Sequence, residues 1–177
     1  MNTYKPGTQF GPYVIEAYLG GGGFKSVYRA RRVTSGGPPD PRPPTLDPPP
    51  PVVALGFPHL SDQFGIEELE KEFAVVSRLA HPNIARVYGL ERHEGTTFLV
   101  MEYVEGESLR ARMKSRGCIP QDKALRLAGL VGEALAYAHE ARVIHRDVKP
   151  DNILLTANDH PKLLDFGVIL IWASQLM

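Results

Sequence analysis

A proline-rich segment in the first third of the chain restricts what can form there. Nine of the sixteen residues in 36–51 are proline. Proline has no backbone N–H to donate and clashes with a preceding helical turn, so this segment cannot form a helix or a central strand. We predict an extended surface insertion between two strands. Two uses stay open for it, a solvated loop or a ligand for a proline-binding partner domain.

The residues on either side of the insertion favour β-structure. "YVIEAYLG" (13–20) and "SVYRARRV" (26–33) are rich in β-branched and aromatic residues and flank a glycine run, which predicts a hairpin. "PVVALGF" (51–57) is the third predicted strand. Two further strands are predicted over 83–91 and 96–104 around the turn "RHEG".

Further along the chain, apolar residues recur at the spacing of an α-helix. This spacing is present over 65–80 and again over 121–142, and Ser108 is the predicted N-cap of a short helix between them. Short strand-like pieces follow at "VIH" (143–145), "NILL" (152–155) and "PKLLDF" (161–166). A strand-rich first half and a helical second half predict an α+β fold with two lobes.

The composition narrows the classes of partner. Lysine and arginine number 20, aspartate and glutamate also number 20, and the sequence pI is about 7.0, so nothing favours nucleic acid or an anionic membrane. The longest apolar stretch, "VILIWA", is too short to cross a bilayer, and the N-terminus does not resemble a signal peptide. The lone cysteine, Cys118, rules out an internal disulfide. We therefore expect a cytoplasmic protein.

Two motifs near the C-terminus carry the most specific chemical signal. "HRDVKPDN" (145–152) sets an aspartate, a lysine two residues later and an asparagine five residues later behind a long predicted helix. "DFG" (165–167) follows a predicted strand. "LGGGGF", "VVAL", "HPNI" and "VMEYVEG" precede them in the same order as in the protein kinases, so residues 10–167 resemble the kinase catalytic core.

The resemblance implies a two-lobed protein kinase-like fold. Residues 10–104 would form a complete N-lobe, a five-stranded antiparallel sheet with helix C, interrupted by the insertion at 36–51. Residues 105–167 would form the first part of a helical C-lobe. The apolar tail 168–177 does not resemble an activation loop, so we expect a chain truncated after "DFG", which leaves its activity open.

The resemblance also implies roles in transferring the ATP γ-phosphoryl group to a serine or threonine of a protein substrate, since "KP" within the first motif is typical of that class. Asp147 would accept the proton of the substrate hydroxyl, and Lys149 would face the transferred phosphate. Asn152 and Asp165 would hold Mg²⁺, a hard ion that prefers oxygen ligands. Taken singly, either aspartate could equally be a loop cap or a surface charge.

ATP binding is implied at further positions. Met101 would be the gatekeeper, and residues 102–104 would form the hinge that bonds adenine through backbone groups. Glu72 would be the helix C glutamate that pairs with the ATP-contacting lysine, or else a solvated charge in "EELEKE". The residues expected to contact the nucleotide are Leu19, Gly20, Gly21, Gly22, Gly23, Phe24, Lys25, Val27, Ala54, Met101, Glu102 and Val104.

One position departs from the family pattern. The third strand reads "VALG", with Gly56 where kinases carry their ATP-contacting lysine. Val27 and Ala54 would sandwich adenine, and residues two apart on a strand share a face, so Lys25 and Gly56 should share that face as well. "GGFKSVY" with a missing third-strand lysine resembles the With-No-Lysine kinases, in which the lysine stands on the second strand.

Lys25 is therefore expected to bond the ATP phosphates and to pair with Glu72; the alternative is a solvated lysine in a decayed site. Some members of that family bind chloride beside a "DLG" motif, and Phe166 in "DFG" argues against chloride here. Three functions stay open: a serine/threonine kinase, an ATP-binding pseudokinase or allosteric module without catalysis, and an interaction module that works through the proline-rich insertion.

Overall fold

The computed structural model describes residues 4–22, 25–33, 49–59 and 63–166. The predicted site residues Gly23 and Phe24, most of the proline-rich insertion, and everything from Gly167 onward lie outside this part of the chain, so the expectations for the insertion and the tail stay predictions. The chain divides into two compact units. The first comprises Met1–Ile66 and Val87–Tyr103, and the second comprises Glu67–Arg86 and Val104–Met177.

The first unit is built on a six-stranded antiparallel sheet in the order β1-β2-β3-β4-β6-β5. The sheet has one strand more than predicted, because a two-residue strand, Gln9–Phe10, pairs with the start of the first predicted strand. Such a short strand leaves no alternating pattern in the sequence to detect. The six strands are β1 (Gln9–Phe10), β2 (Tyr13–Gly21), β3 (Lys25–Arg32), β4 (Val52–Pro58), β5 (Val87–His93) and β6 (Thr96–Glu102).

One face of this sheet carries an aromatic core. Tyr28 and Ala30 of β3 face Val53, Leu55 and Phe57 of β4, and all five are buried. The core is completed by Phe10, Tyr13, Ile15, Phe98 and Val100, with Tyr4 and Tyr88 packed against it. The alternate residues of β3 and β4 must therefore point to the opposite face, which contains the predicted nucleotide residues.

The second unit combines helices with a small sheet. Helix α2 (Leu109–Arg116) begins at Ser108, whose hydroxyl accepts from the backbone N–H of Ala111 at 3.1 Å, as the predicted N-cap requires. Strand β7 (Glu107–Ser108) pairs with β8 (Ile153–Leu155), which pairs with β9 (Pro161–Leu163). The predicted strand at 143–145 does not form.

Helix α1 (Gln63–Val76) ends four residues before the predicted position, and helix α3 (Gln121–Glu140) ends two residues early. Arg142 explains the end of α3, because it adopts a left-handed φ of 61°. The N–H groups of Arg142 and Val143 then donate to the carbonyls of His139 and Ala138, the bonding pattern of a Schellman motif. Among the described residues, no helix is both long and apolar enough to cross a membrane.

Candidate active site

In the second unit, the loop after α3 brings the predicted catalytic residues into one hydrogen-bonded group. A 3₁₀ turn at Pro150–Asn152 closes the loop. The side-chain Nδ2 of Asn152 donates to the backbone oxygen of Asp147 at 2.8 Å and to its carboxylate Oδ2 at 2.9 Å. The Lys149 ammonium lies 2.5 Å from the same Oδ2. The loop therefore joins the aspartate, lysine and asparagine of the motif.

These contacts favour the charged form of Asp147. Burial alone would raise the pKa of this carboxyl group. The hydrogen bonds from Lys149 and Asn152, together with the positive charge of Lys149, outweigh burial, and the pKa lies below its ordinary value of 3.8. Asp147 is consequently a carboxylate at neutral pH, and a carboxylate can accept hydrogen bonds but cannot donate them.

His145 supports the loop from inside the unit. Its side chain is buried, and its ring packs at a tilt against Phe166 with 4.6 Å between the ring centroids. Nε2 lies 2.7 Å from the carbonyl oxygen of Leu164, and Nδ1 accepts from the N–H of Asp147 at 3.2 Å. A carbonyl can only accept, so the proton must sit on Nε2 and the ring is neutral. Burial is the largest cause of the lowered pKa of His145, which agrees with a neutral ring.

The strand that leads to Asp165 is fastened to the same loop. The backbone N–H of Leu164 donates to the backbone oxygen of Asn152 at 2.8 Å. Asp165 itself is half-buried and has a left-handed φ of 61°, and Arg146 has a φ of 66°. Non-glycine residues rarely adopt this conformation, and such residues cluster at functional sites, where surrounding contacts hold them.

Asn83 of the "HPNI" motif is a supporting residue whose role the sequence did not reveal. It is buried, and its Nδ2 donates to the carbonyl of Pro161 at 2.8 Å. Its own carbonyl accepts from the N–H of Leu163, and the carbonyl of Leu163 accepts from Ala85. Asn83 thereby fixes β9 immediately before Asp165. An asparagine that directly follows His-Pro was the available signal, but its buried partner lies 78 residues away.

The residues predicted to hold Mg²⁺ offer suitable ligand atoms. Both hydrogen bonds of the Asn152 amide use Nδ2, which leaves the oxygen Oδ1 for a cation. Asp165 supplies a carboxylate. Hard cations prefer such oxygen donors, so the residue types fit Mg²⁺. Among the described residues there is no cluster of three or more histidine, cysteine, aspartate or glutamate side chains placed for a metal.

In the first unit, the strand register decides which residues share the face opposite the aromatic core. Across β3 and β4, Val27 lies directly opposite Gly56, and Lys25 lies opposite Pro58. Residues that lie opposite each other in an antiparallel pair point to the same face. Lys25 therefore shares a face with Gly56 as its diagonal neighbour, and diagonal neighbours are about 7–8 Å apart, within reach of a long side chain.

Gly56 is buried, and the end of the Met101 side chain covers the place that a side chain at position 56 would occupy. A Cβ at this position would lie 2.8 Å from the terminal methyl of Met101 and 3.8 Å from the Cβ of Leu99. Ala54 lies directly opposite Met101 across β4 and β6. The predicted gatekeeper and the lysine-free position are thus in contact on one face.

Gly20, Gly21 and Gly22 lie at the end of β2. The N–H of Gly22 donates to the carbonyl of Lys25 at 3.0 Å, so Lys25 follows the turn directly. Gly21 is confined, because an added Cβ would lie 2.7 Å from the Tyr18 hydroxyl and 2.9 Å from the Lys25 carbonyl. Gly20 has a φ of 147°, which favours glycine. Leu19, just before it, is exposed.

The remaining predicted residues are distributed over both units. Val27 and Glu102 are partly buried on β3 and β6, and Val104 follows β6 in the second unit. Glu72 lies in α1 and is half-buried. Because Lys25 belongs to the first unit and Glu72 to the second, their pairing stays a prediction.

Comparison with known proteins identifies the family. The sequence model described as "Protein kinase domain" matches residues 58–176, about two thirds of the chain. The chain belongs to the protein kinase family. The kinase match begins at the end of β4 and contains both loop motifs described above.

Individual kinases resemble a larger part of the chain. Serine/threonine-protein kinase PrkC of Bacillus subtilis is 33% identical over 93% of this chain, and PknD of Mycobacterium tuberculosis is 36% identical over 92%. The matched regions make up 24% and 23% of those proteins, so this chain spans about a quarter of their length.

Solved structures agree with the kinase fold. The crystal structure of the Mycobacterium tuberculosis PknI kinase domain matches with a TM-score of 0.71 at 28% identity. The match covers 94% of this chain and 64% of the PknI chain. The predicted α+β kinase-like fold is confirmed.

Proposed function

We propose that the chain is a serine/threonine protein kinase domain that transfers the γ-phosphoryl group of ATP to a hydroxyl group of a protein. The observation that carries this proposal is the loop in which Asp147 is bonded to both Lys149 and Asn152. The serine/threonine class is supported by the names of the relatives PrkC and PknD and by "KP" in the loop.

Asp147 has the charge that the transfer step requires. Asp147 is ionised at neutral pH, so it can orient a serine or threonine hydroxyl and accept its proton as the oxygen bonds to the γ-phosphorus and ADP leaves. Lys149 bonds Asp147 here, and its flexible ammonium can also contact a phosphate oxygen, which would couple the carboxylate to the transferred group.

Asn152 and Asp165 are the proposed ligands of Mg²⁺. When it is bound, Mg²⁺ neutralises the negative charge of the crowded phosphate oxygens. The hydrogen bond from the Leu164 N–H to the Asn152 carbonyl holds the backbones of the two ligands together. The buried His145 ring also holds Leu164, because its Nε2–H donates to the Leu164 carbonyl. These residues thus maintain the ligands in place.

Lys25 is the proposed cation for the ATP phosphates. It shares the nucleotide face with Val27 and Gly56, and a lysine side chain can span the diagonal between β3 and β4. Gly56 brings no side chain to that space, and the flexible end of Met101, which now covers it, would move aside for the ammonium. We further propose that Glu72 orients the Lys25 ammonium, as in the With-No-Lysine arrangement.

We also propose the cytoplasm as the location, because the domain consumes ATP and its lone cysteine, Cys118, is exposed and unpaired, as in a reducing compartment. A second candidate function is an ATP-binding pseudokinase or allosteric module. It is favoured by Gly56, which removes the lysine of the common kinase pattern from β4.

The experiment that tests the function compares the 177-residue chain with Asp147→Asn and Asp151→Asn. Asp151 is a matched control, because it lies in the same loop and forms an exposed ion pair with Arg110. Transfer of labelled phosphate from Mg·ATP to a protein substrate and ATP affinity by calorimetry are both measured. We expect Asp147→Asn to lower transfer roughly 100- to 10,000-fold while ATP still binds, and Asp151→Asn to leave both unchanged.

The other outcomes separate the candidates. Parent chain that binds ATP without any transfer supports the pseudokinase. Parent chain that neither binds ATP nor transfers phosphate contradicts both functions. Equal loss of transfer in the two variants would contradict the role given to Asp147.

A further inference from the structure

Arg29 stands on the face of the sheet that is proposed to bind the nucleotide. It is two residues from Val27 on β3, and it lies directly opposite Ala54 on β4 and opposite Ala17 on β2. The register continues from Ala54 to Met101 on β6. Arg29 is therefore the charged member of a row of residues that crosses four strands beside the proposed adenine position.

Two contacts fix the guanidinium of Arg29. Its central carbon lies 5.2 Å from the centroid of the Tyr103 ring, a cation–π arrangement. Its Nη1 forms an ion pair with Glu16 Oε2 at 3.4 Å. The other oxygen of Glu16 accepts from Arg31 Nε at 3.0 Å, which leaves Glu16 less free to move. The carboxylate holds one end of the guanidinium while the aromatic ring covers its face.

Part of the group formed by Arg29 and Glu16 is shielded from solvent. The Nε atom of Arg29 and the Oε2 atom of Glu16 are shielded from solvent, and neither makes a hydrogen bond with the described residues. The Arg29 side chain as a whole is 41% exposed, so its contact with the ring is weaker than that of a fully desolvated cation. The Glu16 carboxylate at 3.4 Å and the ring of Tyr103 both restrain the guanidinium.

Tyr103 connects this contact to ligand binding. It lies between Glu102, the last residue of β6, and Val104, and the backbone groups of this segment are the proposed partners of adenine. A ring held by Arg29 restricts the backbone torsions of Tyr103. It therefore reduces the conformational freedom that the segment would lose when a nucleotide binds.

We propose that Arg29 is a positioning residue for nucleotide binding, which acts by holding Tyr103 and is itself held by Glu16. The inference rests on the proposed function. Arg29 would contribute to ATP binding, whereas the loop around Asp147 would carry out phosphoryl transfer. Substitution of Arg29 should therefore change the KM for ATP and not kcat.

The test is a set of substitutions in the 177-residue chain, with ADP affinity measured by calorimetry. Arg29→Ala should weaken ADP binding roughly three- to tenfold, and Arg29→Lys, which keeps a cation, should recover part of the loss. Tyr103→Leu should resemble Arg29→Ala, and Tyr103→Phe should cost less because the ring remains. The double variant Arg29→Ala/Tyr103→Leu should bind ADP about as well as either single variant, since both remove the same contact.

Arg92→Ala is the matched control, because Arg92 is an exposed arginine of the same sheet, on β5, and has no part in the contacts among Arg29, Tyr103 and Glu16. It should leave ADP affinity close to that of the parent. Losses that add fully in the double variant, or unchanged affinity in Arg29→Ala, would overturn the inference while the proposed function stands. Failure of the parent to bind ADP would overturn both.

Discussion

The two units keep their site residues in place by different physical means. On the sheet of the first unit, the face and register determine what a side chain meets, and neighbouring strands are only about 4.8 Å apart. In the second unit, hydrogen bonds that are partly or fully buried fix individual side chains, such as Asn152 to Asp147 and Asn83 to Pro161. The sheet departs from the kinase pattern at Gly56, whereas the loop retains it. On a sheet face, a charged side chain from a neighbouring strand can reach the same place. In a loop of this kind, no second residue is placed to substitute for Asp147 or Asn152.

The largest effect is expected from exchanging Lys25 and Gly56, which tests whether the sheet face accepts the lysine from either strand. Lys25→Gly should weaken Mg·ATP binding about ten- to hundredfold, because hydrogen bonds to charged groups contribute about 1.5–3 kcal/mol. Adding Gly56→Lys should restore part of that affinity, provided that the flexible end of Met101 moves from its position 2.8 Å from the new Cβ. Calorimetric titration with Mg·ATP measures each step.

Lys5→Ala serves as the control for that experiment, because Lys5 is an exposed lysine of the same unit. Lys25→Gly with the affinity of the parent would remove the relocated lysine from the mechanism. If the double variant does not regain Mg·ATP affinity, a position on the same face of the sheet is not sufficient for a lysine to serve the ATP phosphates.

The loop side of the comparison is tested by Asn83→Ala. The substitution leaves the buried carbonyl of Pro161 without its donor, so the free energy of unfolding should fall by about 1–3 kcal/mol. Asn158→Ala, at an exposed position, should change it little. Urea denaturation of both variants gives the comparison. Similar stability of the two would show that Asn83 does not secure β9.

The glycine run provides a test within the sheet unit. Gly21→Ala should cost about 1 kcal/mol, since its Cβ would meet the Lys25 carbonyl and the Tyr18 hydroxyl at under 3 Å. Gly22→Ala should cost much less, because nothing lies within 4 Å of its added Cβ. Thermal unfolding separates the two variants. Equal losses would argue that backbone freedom, and not crowding at Gly21, requires glycine here.

The pH dependence of stability gives the smallest expected effect. The pKa of His145 lies below its ordinary value of 6.5, so the unfolded chain takes up a proton more readily than the folded chain. The free energy of unfolding should therefore decrease as the pH falls from 6.5 towards the lower pKa of the folded state, and this contribution should be fully present above 6.5.

His145→Gln removes the titrating group and should flatten this part of the profile, whereas His160→Gln, at an exposed position, should not. Urea denaturation at several pH values between about 5 and about 8 measures the slope. An identical slope in the parent and in His145→Gln would contradict a neutral, buried ring.

The sequence predicted the fold where patterns are long or chemically distinctive. The alternation of β3 and β4 placed Lys25 and Gly56 on one face, and the loop motif brought Asp147 and Asn152 to one group. It did not predict the end of α3, because Arg142 takes a left-handed conformation that usually signals glycine. It also missed contacts between residues distant in sequence, such as Asn83 with Pro161, since neither residue type by itself indicates a partner.

Lys25 directly follows the turn of the β2–β3 hairpin, and this placement affects how such kinases are recognised. If Lys25 contacts ATP as proposed, a chemical probe that acylates the ATP-contacting lysine would label a peptide that contains Lys25. A survey that inspects only the β4 peptide would then record the chain as unreactive. A search that requires lysine in β4 would likewise discard its gene as a relic. Surveys that ask for a cation on the nucleotide face, whichever strand supplies it, would retain both.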